Sequence, residues 1–204
     1  MKSNVIAINS NGQGFCEMLQ ETEKAAVYAG LSRKQSLRLR LLAEEMSGMF
    51  RTIIPHKSAE YWIETEEKHF WLHLAAETNM NPDLREELLK TATSGKNAAA
   101  VGFMGKLRDL FMQMGEFDNT GMPPMMEYGF LDGDLDTIET PDGMMNGMMF
   151  NWSLKEYRSA IEERKEENLE SWDELEKSIT AKLADEIKVF INYNKVEMVI
   201  DKQF

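Results

Sequence analysis

The sequence predicts an α+β fold: a two-layer sandwich in which helices pack on one face of a mixed, largely antiparallel sheet. Two consecutive segments have helical periodicity, and two pairs of alternating or aromatic-rich segments flank short polar turns. Helices and strands are also segregated along the chain. In order, the expected elements are a strand, two helices, a hairpin, helices, a long insertion, a helix and a second hairpin.

The first strand and the two long helices have clear boundaries. Residues 5–8 form a β-branched run that ends in a turn sequence. Apolar residues recur at helical spacing over 15–29, and Gly30 follows where a C-cap favours a left-handed residue. Ser32 is a suitable N-cap for a second helix, which is expected to end before Pro55. The apolar stripe predicted for that helix is Leu37, Leu41, Leu42, Met46, Met49, Phe50 and Ile53.

The two hairpins are predicted from different signals. Residues 59–64 and 69–77 are rich in aromatic and β-branched residues and are joined by a short charged turn. Near the end of the chain, residues 187–191 and 196–200 alternate between apolar and polar around an Asn-Tyr-Asn sequence. Both segments are therefore expected to contribute antiparallel strands.

The region between the hairpins is harder to assign. Short helices are predicted at 83–91 and 98–114, and a helical region in two parts at 153–185. An insertion rich in methionine, glycine and proline is placed at about 115–170, and its methionines are expected to cover an open core face or to adapt to a partner. Since no linker divides the chain, residues 1–204 are predicted to form one domain.

The composition is that of a globular protein with a strong acidic excess. Of the 204 residues, 43% are hydrophobic and the formal net charge is −12, which disfavours general binding to nucleic acid. The basic stretch from Arg33 to Arg40 fits the solvated side of a helix. Cys16, the single cysteine, is expected to be a buried thiol, and no apolar run approaches the roughly 20 residues of a membrane span. A cytoplasmic protein without membrane or nucleic-acid partners is expected.

One stretch of sequence suggests a family. Residues 25–50, AAVYAGLSRKQSLRLRLLAEEMSGMF, resemble the first two helices of the histidine-kinase-like (GHKL) ATPases, nearest the anti-sigma-factor serine kinases. The likeness covers roughly residues 15–111 and the closing hairpin. It implies the two-layer fold of that family, with adenine nucleotide bound beside the second helix.

The second helix resembles the helix that carries the family's N box. By this register Glu44 stands at the position of the glutamate that acts as general base, and Gly48 at that of the asparagine that holds magnesium. Residues four apart share one helix face, so both side chains would reach the same phosphates. Glycine has no side chain to coordinate a metal, which makes magnesium of the family type doubtful. Alternatively, Glu44 and Glu45 are solvated helix charges.

The family's adenine site is matched only in part. The end of the second hairpin strand resembles the family's adenine-binding strand, and Glu77 or Asn79 would stand near its aspartate. The amide oxygen of Asn79 could accept from the adenine amino group. The expected glycines are missing, and residues 79–82 are alternatively a simple turn.

The phosphate lid is the third point of resemblance. In the family a glycine box opens a helix, whose backbone N–H groups and a lysine face the phosphates. The sequence SGKN is similar, although GxxxxGK[ST] is absent. A helix N-terminus with an exposed lysine is the alternative. The residues assigned to the lid are Ser94, Gly95, Lys96, Asn97, Gly102 and Gly105.

His69 and His73 lie four apart, so on a strand they would share one face. A metal site would need further ligands close by, and a structural role is expected instead, with no metal site. The tryptophans lie in apolar patterns and are expected in the core or in subunit contacts.

These observations favour two functions. The first is an ATP-binding regulator related to the anti-sigma kinases, acting on a regulatory protein as an ATP-dependent serine kinase or ATPase. The alternative is a non-catalytic interaction protein, a pseudo-ATPase, whose partner is another protein or a second copy of the chain. Gly48 and the missing glycines favour the alternative, and SGKN favours the first.

Overall fold

The structure, a computed structural model, describes residues 1–53, 58–77, 150–163, 178–192 and 195–204. They belong to one compact unit, Met1–Asn79 with Met149–Phe204. The strands are β1 (Ile6–Asn9), β2 (Ser58–Glu66), β3 (His69–Glu77), β4 (Phe150–Ser153), β5 (Glu186–Asn192) and β6 (Lys195–Gln203), and the helices are α1 (Phe15–Tyr28), α2 (Arg33–Ile53), α3 (Leu154–Glu163) and α4 (Ile179–Leu183).

The described strands form one six-stranded sheet in the order β1-β2-β3-β6-β5-β4. Every neighbouring pair among them is antiparallel. Helices together with such a sheet confirm the predicted α+β class, and both predicted hairpins are present as β2-β3 and β5-β6. Among the helices described, none is long and apolar enough to cross a membrane.

Buried side chains alternate along the central strands and lie on one face of the sheet, called here the covered face. Tyr61, Leu74, Met198 and Val189 stand opposite one another on four successive strands, and each is at most 4% exposed. The residues between them lie on the other face, called here the open face. Period-2 alternation therefore separates an apolar layer from a polar and aromatic one.

A buried polar pair joins α1 to the covered face. The Thr22 hydroxyl lies 2.8 Å from the Tyr61 hydroxyl and donates to the Met18 carbonyl, also at 2.8 Å. Thr22 and Tyr61 are both fully buried. Burial raises the pKa of Tyr61 despite the lowering effect of its hydrogen bond with Thr22. Both hydroxyls are thus satisfied inside the core.

Two glycines with positive φ frame α1. Gly14 is its N-cap at φ 83°, and a Cβ there would lie 2.1 Å from the Ala7 carbonyl oxygen. Gly30, at φ 67°, follows the helix, as its position in the sequence predicts. The next helix begins with a capping box. The backbone N–H of Gln35 donates to the Ser32 hydroxyl, and the backbone N–H of Ser32 donates to the side-chain Oε1 of Gln35.

The buried side of α2 differs in part from the prediction. Leu42, Met46, Met49 and Phe50 are buried as expected, but Leu37 is 58% exposed. Leu39 and Ala43 are buried in addition. Leu37 precedes Leu39 by two residues, which places it on the opposite side of a helix with 3.6 residues per turn.

Three further expectations need comment. Cys16 is exposed rather than buried, because it lies two residues from the buried Met18 and so on the other side of α1. The strand at Phe150–Ser153 was not predicted; it pairs with β5 at the sheet edge. The predicted helices at 83–91 and 98–114 lie outside the described residues. The single domain and the insertion at about 115–170 stay predictions, and the described residues 150–163 of that range form β4 and α3.

Candidate functional site

Glu44, the residue placed at the catalytic-base position, is an exposed residue of α2. Its Oε1 accepts a hydrogen bond from Arg40 Nε at 3.0 Å. Arg40 also donates to the carboxylate of Glu23 on α1, so one guanidinium joins two carboxylates from two helices. These hydrogen bonds, the one with Glu23 first, raise the pKa of Arg40. The arrangement is a surface ion-pair network between α1 and α2.

Gly48 lies one turn beyond Glu44 and is half-buried. Apart from the neighbouring backbone of α2 itself, no described atom lies within 4 Å of a Cβ built on Gly48. Within the described part of the chain, no cluster of three or more His, Cys, Asp or Glu residues could hold a metal ion. Gly48 has no side-chain ligand atom, so it cannot hold magnesium in the way that the resemblance implies for the family's asparagine.

The other predicted nucleotide contacts are not described. Glu77 is exposed at the end of β3, and Asn79 lies two residues past the described segment. The residues predicted to form the phosphate lid also lie outside the described ranges: Ser94, Gly95, Lys96, Asn97, Gly102 and Gly105.

The two histidines lie together on the open face, as their spacing predicts. His69 Nε2 is 2.6 Å from Asp201 Oδ1, and His73 Nδ1 is 3.0 Å from Glu197 Oε1. In each pair, the carboxylate stands two residues from the position directly opposite its histidine on β6. Both pairs join the central strands β3 and β6, which are more than 100 residues apart in sequence. The arrangement supports a structural role for the histidines.

Tryptophans complete the open face. Trp62 stacks on His73 with ring centroids 4.7 Å apart, and Trp71 lies beside His69 at 3.9 Å. Both tryptophans are half-buried, so they are not core residues. Lys2 Nζ lies 4.8 Å from the centroid of Trp62 and 3.2 Å from Glu64. The hydrogen bond from Lys2 outweighs desolvation and lowers the pKa of Glu64.

A different surface lies at the connection between α1 and α2. Val27 is 75% exposed, Tyr28 73% and Leu37 58%. We call these three residues the hairpin-end patch. A shallow concavity of about 540 Å³ runs along the same side of α1. Its described lining residues are Gln20, Glu23, Lys24, Val27 and Tyr28. Sequence periodicity had placed Leu37 in the core and so did not reveal this patch.

Comparison with known proteins does not identify a family. No family model matches the chain, and neither a curated protein nor a solved structure matches it significantly.

Proposed function

We propose that the protein is a non-catalytic interaction protein built on a fold that resembles the histidine-kinase-like ATPases. The observation that carries this proposal concerns the two positions of the N box, Glu44 and Gly48. Glu44 is bound by Arg40 at the surface, and the residue one turn later, Gly48, has no side-chain ligand for magnesium. A family-type site needs both side chains on one helix face directed at the phosphates.

The surface adds support. Three large apolar side chains are more than half exposed at the hairpin-end patch. Isolated exposed apolar residues need no explanation, but a group at one end of a helical hairpin is typical of contact with another macromolecule. The partner is then a protein that is bound without being chemically modified.

The second candidate is an ATP-binding regulator related to the anti-sigma kinases. The specific observation in its favour is the SGKN sequence, Ser94–Gly95–Lys96–Asn97, which resembles the family's phosphate lid. Glu44 would then be the base, Lys96 a phosphate contact and Asn79 an adenine contact. Magnesium would need ligands other than residue 48.

Thermal melting with and without ATP and magnesium separates the two candidates. A ligand at 100 times its Kd stabilises a protein by about 2.7 kcal/mol, which corresponds to a Tm increase of roughly 5–10 °C for a chain of this size. Non-catalytic function predicts no increase at millimolar ATP. An increase in the wild type would contradict the proposal and support the ATP-binding candidate.

Two variants sharpen this measurement. Lys96→Ala should abolish any increase seen in the wild type if the lid is correctly assigned, whereas an unchanged increase would place the nucleotide elsewhere. Gly48→Asn restores the family's ligand type. An ATP- and magnesium-dependent increase in this variant alone would show that the chemistry was lost at residue 48, in agreement with the proposal.

A further inference from the structure

Helix geometry brings the α1 and α2 parts of the hairpin-end patch to one side of the hairpin. Arg40 of α2 contacts Glu23 of α1. Val27 lies one turn after Glu23, and Leu37 lies about one turn before Arg40. Because α1 and α2 pack together and are joined by only four residues, they run in opposite directions. Moving from Glu23 to Val27 on α1 and from Arg40 to Leu37 on α2 therefore leads toward the connection in both cases. Val27 and Leu37 therefore lie on the same side of the hairpin.

The α2 side of this patch carries three cations in a chain whose net charge is −12. Arg33, Lys34 and Arg38 are exposed. None of the three takes part in an ion pair between described residues. The first turn of α2 contains no acidic residue. The arrangement thus differs from the neighbouring network, in which Arg40 is shared by two carboxylates.

Arg33 and Lys34 lie in the first turn of α2, where their charges do not stabilise the helix through its dipole. Positive side chains at a helix N-terminus oppose the helix dipole, which favours acidic residues there. At the helix N-terminus, the backbone N–H of Gln35 already donates a hydrogen bond to the Ser32 hydroxyl. An unfavourable local charge that the fold itself does not use indicates a role in contact with something negatively charged.

We propose that the hairpin-end patch binds an acidic segment of a partner protein that carries apolar side chains at helical spacing. This inference rests on the proposed function and names its partner class. The apolar side chains of the segment would pack on Val27, Tyr28 and Leu37, and its carboxylates would pair with Arg33, Lys34 and Arg38.

A peptide selection tests this assignment with random sequences in place of the natural partner. The folded wild-type chain is the target for a phage library of random peptides of about 16 residues, a little over four helical turns. Selected peptides should be acidic, with apolar residues three and four apart. Their affinity, measured by fluorescence anisotropy, should fall as salt is raised, because surface charge attraction is screened.

Variants locate the binding surface. Leu37→Ser and Arg38→Glu should each weaken binding of the selected peptide by roughly tenfold or more, the range for a central contact. Matched controls are Ile179→Ser, which removes another exposed apolar side chain, and Lys188→Glu, which reverses another exposed cation. Both controls should bind as the wild type does. All four positions are exposed, so melting temperatures should show that each variant is folded.

Other outcomes overturn the inference. Selected peptides that are not acidic, or that bind Leu37→Ser and Arg38→Glu as tightly as wild type, exclude the patch as their site. Wild-type self-association in sedimentation that Leu37→Ser abolishes would assign the patch to a second copy. Binding to phosphatidylserine vesicles but to no acidic peptide would assign it to a membrane surface. ATP-dependent melting of the same samples tests the proposed function separately.

Discussion

The two faces of the sheet use the same strands in different ways. The covered face consists of apolar side chains with one buried hydroxyl pair, Thr22 and Tyr61. The open face carries half-buried aromatic rings and two histidine–carboxylate pairs that join β3 to β6. Apolar burial supplies most of the free energy of folding, whereas partly exposed ion pairs supply little. The covered face thus provides stability.

The open face contributes to the register of the central strands. Both of its ion pairs have the same diagonal offset across β3 and β6. A slip of one residue would move every paired side chain to the opposite face, and it would also expose the apolar row. Substitutions on the two faces should therefore lower the free energy of unfolding by different amounts, and four predictions test that comparison.

The largest effect is expected on the covered face. Leu72 is fully buried on β3, and Leu72→Ala should lower the free energy of unfolding by about 2–5 kcal/mol through lost burial and a residual cavity. Val199→Ala, on the open face of β6, removes apolar surface that is only half-buried and should cost less than half as much. Urea denaturation measures both. Equal losses would contradict the division between the faces.

Removing one hydroxyl or the other of the buried Thr22–Tyr61 pair should have unequal effects on the free energy of unfolding. Thr22→Val leaves the Tyr61 hydroxyl in the core without its Thr22 partner and should cost about 1–3 kcal/mol. Tyr61→Phe leaves Thr22 bonded to the Met18 carbonyl and should cost about 1 kcal/mol. The double variant should lose less than the sum in urea denaturation. Additive losses would show that the two hydroxyls do not interact.

A smaller effect is expected at an ion pair of the open face. Asp201→Asn weakens the contact with His69 and should cost no more than about 1 kcal/mol in urea denaturation, because both side chains are about 30% exposed. Glu60→Gln is the matched control on the same face and should change stability by less than about 0.5 kcal/mol. A loss above that of Leu72→Ala would mean that the open face carries the stability.

The smallest effect concerns Asp185, which precedes β5. Burial raises its pKa, but the hydrogen bonds from Lys202 Nζ and the Gln203 amide outweigh burial and lower it overall. A lowered folded-state pKa means that the stabilisation is present above the unfolded value of about 3.9 and is lost as the pH falls through the lower folded value.

Asp185→Asn should therefore cost less than about 1 kcal/mol near neutral pH, since the carboxylate is largely solvated. The difference from wild type should shrink in acid, below about pH 3.9. Urea denaturation over a pH series measures it. A gap that widens on acidification would have the wrong sign for a lowered pKa.

Sequence periodicity predicted the parts of the fold that depend on local pattern. Both hairpins alternate or concentrate aromatic residues over several positions, and Gly30 and Ser32 mark the ends of α1 and α2. The strand β4 was missed because it lacks the β-branched run that marks the equally short β1, and it is defined by pairing with β5. Leu37 was misplaced because several registers of α2 give an apolar stripe, and packing selects one.

The candidate sites were predicted less completely. The spacing of His69 and His73 predicted their common face, but Asp201 and Glu197 come from a strand more than 100 residues away. No local pattern specifies such a pairing. The register of Glu44 placed it on α2, whereas its partner Arg40 and the link to Glu23 depend on how two helices pack. Nucleotide contacts at Asn79 and Lys96 stay predictions.

Gly14 and Gly30 have the same backbone handedness but impose different evolutionary constraints. The carbonyl of Ala7 leaves no space for a methyl group at Gly14, so substitution there is blocked by a backbone atom. Around Gly30 no described atom lies within 4 Å of an added Cβ, so asparagine can replace it at the modest cost of a left-handed conformation. Distant homologues should keep the first glycine without exception and exchange the second, which gives a two-position signature for finding them by sequence.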